Sequence, residues 1–184
     1  FCKKHPHANV SITIKSRNEL IHWEGAEHFD VALVSLPFEQ RVFKKKAFVS
    51  FSAVVAVSKN DPLHMKKIIT IEDLKNKNLI SLDPTGIFQT SIRKKFEELN
   101  IEPIVKIQTT SMLQSAQLVA NDIGIAIIDP FIGHIISNNN ILIKPLEPSI
   151  NFNYAYIWPE GRELSALAKE FISEIANIAK KISK

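Results

Sequence analysis

Asp129 stands directly after a run of small and branched apolar residues, Ile123 to Ile128, and directly before Pro130 and Phe131. A carboxylate where a buried strand should end has two uses. It caps the turn or helix that follows, or it offers a negative charge to an amine or guanidinium. The two uses are compatible, one for each carboxylate oxygen. Thr109, Thr110 and Ser111 follow a second strand-like run, Ile104 to Gln108. Their hydroxyls suit a helix cap, and the N–H groups of a helix start suit a carboxylate. Arg17, beside Ser16, carries a planar fork that matches a carboxylate bidentately. A surface pairing with Glu19 is the plain alternative for Arg17. Ser35 closes a third apolar run, and Phe131 is either core or pocket wall. An anion receiver together with an acid suits an amino acid or a conjugate of one.

Other reactive side chains form no such pattern. Cys2, His5 and His7 cluster near the start, but they match no usual metal-ligand spacing, so no metal site is expected. Glu72-Asp73 and Glu97-Glu98 lie on helical stretches whose solvated faces account for them. His22, His28, His64 and His134 have no evident partners. The sequence contains no nucleophile elbow, phosphate-binding loop, dinucleotide fingerprint or paired-histidine metalloprotease motif. No catalytic residue and no cofactor are therefore expected.

Bulk composition agrees with a globular domain. The 184 residues are 45% hydrophobic, enough for one large domain or two small ones. No apolar stretch approaches the roughly 20 residues needed to cross a bilayer. One cysteine precludes an internal disulfide, which suits a reducing compartment. The net charge of +4 includes Lys44-Lys45-Lys46 and Arg93-Lys94-Lys95. No aromatics interleave with these runs, so they read as solvated faces rather than a nucleic-acid patch.

The elements that must position these residues can be read in order. Val10 to Ile14 alternates like a half-buried strand, and residues 18–27 read as a helix. Asp30 to Ser35 is a strand that Pro37 stops, and Phe48 to Val57 is a long apolar one. Thr70-Ile-Glu-Asp73 has the form of a capping box. Leu79 to Leu82 is a strand, and Asp83-Pro-Thr-Gly86 turns into a helix whose Phe88, Ile92, Phe96 and Leu99 share a face up to Asn100. A short helix is expected over 131–136, then strands over 141–143 and 152–158. The last helix, 162–182, carries a stripe from Leu164 to Ile182. Strands alternating with helices predict an α/β fold with mostly parallel sheets. Ligands in such sheets sit beyond the carboxyl ends of strands, which singles out Ser16-Arg17, Ser35, Thr109-Thr110-Ser111 and Asp129-Pro130-Phe131.

Three strings in order and spacing, "FDVALVSLP", "SAVVAVSKNDPLHMKKIITIEDLKNKNLISL" and "TTSMLQSAQLVANDIGIAIIDPF", resemble the effector-binding domain of LysR-type bacterial transcriptional regulators. The resemblance covers essentially the whole chain. It implies a two-lobed fold like that of periplasmic solute-binding proteins (type II), with a small effector between the lobes. Lobe one is expected over 1–57 and 159–184, and lobe two over 58–158. By position, the effector-binding residues would be Ser16, Arg17, Ser35, Thr109, Thr110, Ser111, Asp129, Pro130 and Phe131. The "IIDPF" string resembles family members that respond to amino acids or opines.

The family begins this domain with a strand and a helix ahead of the segment that "FCKKHPHANVSI" resembles, so those elements are expected to be missing from lobe one. The family's N-terminal winged helix-turn-helix is likewise outside these residues, and DNA contact would depend on it. The resemblance further implies a cytoplasmic location, homo-oligomers of the full-length protein, no membrane association and no enzymatic activity. A solute-binding protein of a transporter shares the fold and is the rival expectation. An enzyme on the same fold is a weaker one, for want of an acid–base set at the strand ends.

Overall fold

The computed structural model describes residues 1–15, 19–20, 29–136 and 140–182. The described chain forms two compact units, one from residues 1–49 and 153–182, the other from residues 50–152.

The first unit is built on a three-stranded sheet, β1 (Ala32–Ser35), β9 (Asn151–Pro159) and β2 (Phe43–Ser52), in the order β1-β9-β2. β1 runs antiparallel to β9, with Ala32 opposite Ile157 and Ser35 opposite Tyr154. Leu20, Val34, Phe38, Phe43, Ala155 and Ile157 pack together behind it. The closing helix, α4 (Ala166–Ile182), starts later than the periodicity predicts. Ser165 accounts for the shift: its Oγ accepts from the Ala168 N–H at 3.1 Å, which fixes the first turn. Residues 10–14 form no strand, and Ile12 and Ile14 are 81% and 94% exposed. Alternation supplies an apolar face, but a strand also needs a neighbour for its N–H and C=O groups, and these residues pair with none of the described strands. The helix expected over 18–27 lies almost wholly outside the described residues.

The second unit carries a six-stranded sheet ordered β4-β8-β3-β7-β5-β6. Its strands are β3 (Val54–Ser58), β4 (Ile69–Thr70), β5 (Asn78–Leu82), β6 (Ile104–Thr109), β7 (Ile125–Ile128) and β8 (Ile141–Glu147). Five of the six point the same way. β4 is parallel to β8, and β5 is parallel to both β6 and β7. β3 alone is reversed, antiparallel to β7 on one side and to β8 on the other. Three helices accompany the sheet: α1 (Ile87–Glu98), α2 (Met112–Ala120) and α3 (Pro130–Ile136). The core sets small residues against large ones, Ala56, Ala116 and Ala126 against Ile80, Ile128 and Ile141, so α2 packs closely on the strands.

The apolar run expected as one strand over 48–57 is broken at Ala53, whose N–H donates to the Ile150 carbonyl at 2.9 Å, and continues as β3. The Thr70–Asp73 capping box forms in both directions. The Thr70 N–H donates to Asp73 Oδ2 at 3.0 Å and the Asp73 N–H to Thr70 Oγ1 at 3.3 Å, around a single 3₁₀ turn, Glu72–Leu74.

Both long helices of this unit end in the same device. Asn100 follows α1 at φ 54° and Asp122 follows α2 at φ 61°. In each case two N–H groups past the helix fold back onto its last carbonyls: Asn100 on Glu97 and Ile101 on Phe96, Asp122 on Val119 and Ile123 on Leu118. This double closure releases the chain straight into the next strand. It also explains why β7 begins at Ile125: Ile123 is committed to the helix end, and Gly124 passes the neighbouring strand too closely for a side chain. A Cβ on Gly124 would lie 2.5 Å from the Asn78 carbonyl oxygen.

Candidate functional site

Parallel strands in the order β7-β5-β6 bring their carboxyl ends to one edge of the sheet, each followed by a helix start. Thr109, at the end of β6, lies opposite Leu82, at the end of β5. The β5–β7 register pairs Leu79 with Ile125 and Ile80 with Ala126, and the same offset carried forward puts Asp83 level with Asp129. Two of the residue groups marked in the sequence, 109–111 and 129–131, therefore share this edge. Ser16 and Arg17 lie outside the described residues. Ser35 closes β1 in the other unit, half-buried, next to Leu36, whose N–H donates to the Asn153 carbonyl at 2.8 Å.

At the β6 end, Ser111 caps α2, its Oγ accepting from the Gln114 N–H at 3.4 Å. Thr109 Oγ1 accepts from the Ser111 N–H at 3.2 Å and donates to Gln114 Oε1 at 2.7 Å. Thr109 and Ser111 thus hold the turn, while Thr110 is exposed between them. The cap engages only one of the N–H groups at the helix start; the N–H groups of the first turn and the exposed hydroxyl form a neutral, donor-rich surface suited to an anion.

At the β7 end, Asp129 is 9% exposed. Its Oδ1 accepts from the Ile132 N–H at 2.7 Å, fastening the start of α3. Burial pushes its carboxyl above the usual aspartate value, while the Ile132 and Phe131 N–H groups pull the other way by favouring the charged form. The capping use of Asp129 is thus explicit in the geometry. Phe131, in the first turn of α3, meets Phe51 edge-on with ring centroids 5.1 Å apart. Phe51 contacts Phe152 at 5.7 Å, and Phe152 stacks on Phe88 at 4.3 Å and 20°. This chain of rings links the first turns of α3 and α1 with an apolar wall.

The middle of the edge holds a third group. β5 lies between β6 and β7, so the Asp83–Gly86 turn sits between 109–111 and 129–131. Asp83 is exposed and accepts from both the Thr85 N–H, at 2.8 Å, and Thr85 Oγ1, at 2.7 Å. These bonds hold its carboxyl below the usual range, so it is the firmly ionised acid of this edge. In the sequence Phe88 shows only as part of the apolar stripe of α1. The turn chemistry of Asp83-Pro-Thr-Gly86 was visible, but its place between the other ends follows from strand order, which no local pattern encodes. Among the described residues, no group of three or more His, Cys, Asp or Glu could hold a metal ion.

A mixed α/β chain in two units, with helix starts gathered at strand ends, has the architecture of type II periplasmic-binding-like domains. The model of the LysR substrate binding domain matches residues 1–179, and the chain belongs to that family, the effector-binding domain of LysR-type transcriptional regulators. It is 22% identical over 171 residues to the transcriptional activator protein LysR of Escherichia coli (strain K12), covering 93% of this chain and 55% of that protein. Among solved structures it is similar to the Synechocystis PCC6803 CcmR regulatory domain in complex with 2-PG, with a TM-score of 0.77 at 18% identity over 97% of this chain and 87% of that one. It is equally similar to the BenM effector binding domain with its effector benzoate, with a TM-score of 0.77 at 18% identity over 100% of this chain and 85% of that one. The chain spans 55–60% of the length of the curated relatives it matches. No helix among the described residues is long and apolar enough to cross a membrane.

Proposed function

We propose that this domain senses a small carboxylate-bearing effector, an amino acid or opine-like derivative, and passes the binding signal to a DNA-binding segment outside residues 1–184. The observation that carries the reading is the edge shared by three strand ends, which brings the neutral donors at 109–111 and the acids Asp83 and Asp129 to the same end of neighbouring strands. The first turn of α2 and the Thr110 hydroxyl take the carboxylate. A carboxylate of this edge takes the positive group, Asp129 or the more exposed Asp83. Pro130, Phe131 and Phe88 supply the apolar wall. Ser16, Arg17 and Ser35 stand as further effector contacts from the family pattern, with Arg17 as a second anion receiver. The relatives that carry benzoate and 2-PG support an anionic ligand.

The mode of action is linkage rather than catalysis. An effector shifts a conformational balance only by its differential affinity for the two states. In a cytoplasmic regulator that assembles from several copies, the balance concerns how the copies pack. A thermal-shift screen of amino acids and their N-alkylated acid conjugates against the 184-residue chain tests the proposal. A ligand at 100 times its Kd stabilises by about 2.7 kcal/mol, which raises Tm by roughly 5–10 °C at this size. Arg17→Ala or Thr110→Ala should weaken such a ligand at least tenfold. Ligands that bind both variants as tightly as the parent would overturn the assignment.

A further inference from the structure

The second unit contains a cavity of about 270 Å³ between α1 and the β5–β6 pair. Leu79, Ile92, Phe96, Val105 and Ile127 form its apolar walls. The space is partly open to solvent, with Val105 on its wall 49% exposed, so a small molecule can enter it without unfolding the sheet. An apolar cavity of about 150 Å³ accepts benzene, so this one has room for a ring bearing a short chain. The ladder beside it is irregular: the β5–β6 register shifts between Leu79 and Ile80, leaving Lys106 as the extra residue. Such a bulge re-aims the side chains around it, here at the cavity wall.

The polar lining is divided by role. Gln89 Oε1 accepts from the Leu82 N–H at 3.2 Å, and Gln108 Nε2 and Ser81 Oγ both donate to the Leu82 carbonyl, at 3.4 and 2.9 Å. These three side chains are committed to the Leu82 backbone. Among the described residues, Arg93 is the only formal charge in the lining; it is exposed and meets Glu97 through Nε at 3.6 Å. Its guanidinium carries five donors in a fork that matches a carboxylate, and no acid among the described residues lines the cavity.

We propose that this cavity is a second small-molecule site, adjoining the strand-end edge at Pro84, taking a monocarboxylate with a compact apolar body whose carboxylate meets Arg93. None of Thr110, Ser111 or Asp129 lines it, so the two sites meet only at the Asp83–Gly86 turn and do not share the groups that would hold the effector.

The test is a methyl-resolved NMR titration of the 184-residue chain with 3-phenylpropionate and with its neutral amide, 3-phenylpropionamide. The expected result is saturable shifts at Leu79, Ile92, Val105 and Ile127, with the amide binding at least tenfold more weakly. Arg93→Gln, a change at an exposed position that leaves the fold intact, should reduce that preference to less than twofold. Val105→Phe, on an edge strand, should fill the space and remove the shifts. Three results would each overturn the proposal: no saturable shift, equal affinity for acid and amide, or shifts confined to the 109–131 edge. An unchanged acid preference in Arg93→Gln would do the same.

Discussion

Replacing Asp129 separates its capping role from its charge. In Asp129→Ala the Ile132 N–H, now bonded at 2.7 Å, loses its acceptor at a site only 9% exposed. Loss of an N-cap costs about 1 kcal/mol, and leaving a donor unsatisfied out of water adds about 1 kcal/mol more, the low end of the usual range. The total of about 2 kcal/mol corresponds to a Tm lower by roughly 4–8 °C for a chain of this size. Asp129→Asn keeps an oxygen for Ile132 and removes a buried charge, so it should cost about 0.5 kcal/mol or less. The pH dependence has a definite sign. Burial raises the native carboxyl above its unfolded value, so the native state holds this proton more tightly. The wild type should gain on Asp129→Asn as pH falls through that raised value and lose the advantage as pH rises through it. Thermal melts of the three proteins between pH 4 and pH 8 measure both effects. A Tm for Asp129→Ala within about 1 °C of wild type, or a wild-type advantage over Asn that grows with pH, would refute the reasoning.

Two further substitutions probe the scaffold. Gly124→Ala places a methyl 2.5 Å from the Asn78 carbonyl oxygen. The backbone of β5 or β7 must give way, and urea unfolding should show a loss of about 1–3 kcal/mol. Asp122 accepts from Ser58 Oγ and from Asn60 Nδ2, the latter at 2.9 Å, and the Ser58 bond, first, then the Asn60 bond hold its carboxyl below the usual value. Its contribution to stability is present above the unfolded carboxylate pKa and is lost as pH falls through the lowered native value. Asp122→Asn should therefore flatten the acid limb of the stability profile, as seen by circular dichroism; an unchanged limb would count against that role.

Local chemistry made much of this molecule legible before its structure. Asn100 marked the end of α1 because few other residues tolerate φ near +54°, and Thr70 with Asp73 marked a cap through their spacing. Asp129 was readable as an acid at a strand end, and the structure gives it a capping partner. What the sequence did not expose is set by long-range pairing. Val10 to Ile14 has the alternation of a strand yet pairs with no described strand, and Phe48 to Val57 has the composition of one strand yet is divided at Ala53. The Asp83–Gly86 turn escaped notice as part of the edge for the same reason. Only the order β7-β5-β6 puts it between 109–111 and 129–131.

The reversed strand β3 has a consequence for how the chain is made. Both of its neighbours come late: β7 is complete roughly 70 residues after Ser58 and β8 roughly 90. At about 5–20 residues per second on the ribosome, the segment Val54–Ser58 waits several seconds with both edges bare. Its Val55, Ala56 and Val57, fully buried in the finished sheet, are then open to any other extended chain. Nascent chains halted before residue 125 should therefore be the stage at which this domain most needs a chaperone, and those extended past residue 147 should be the first to resist protease.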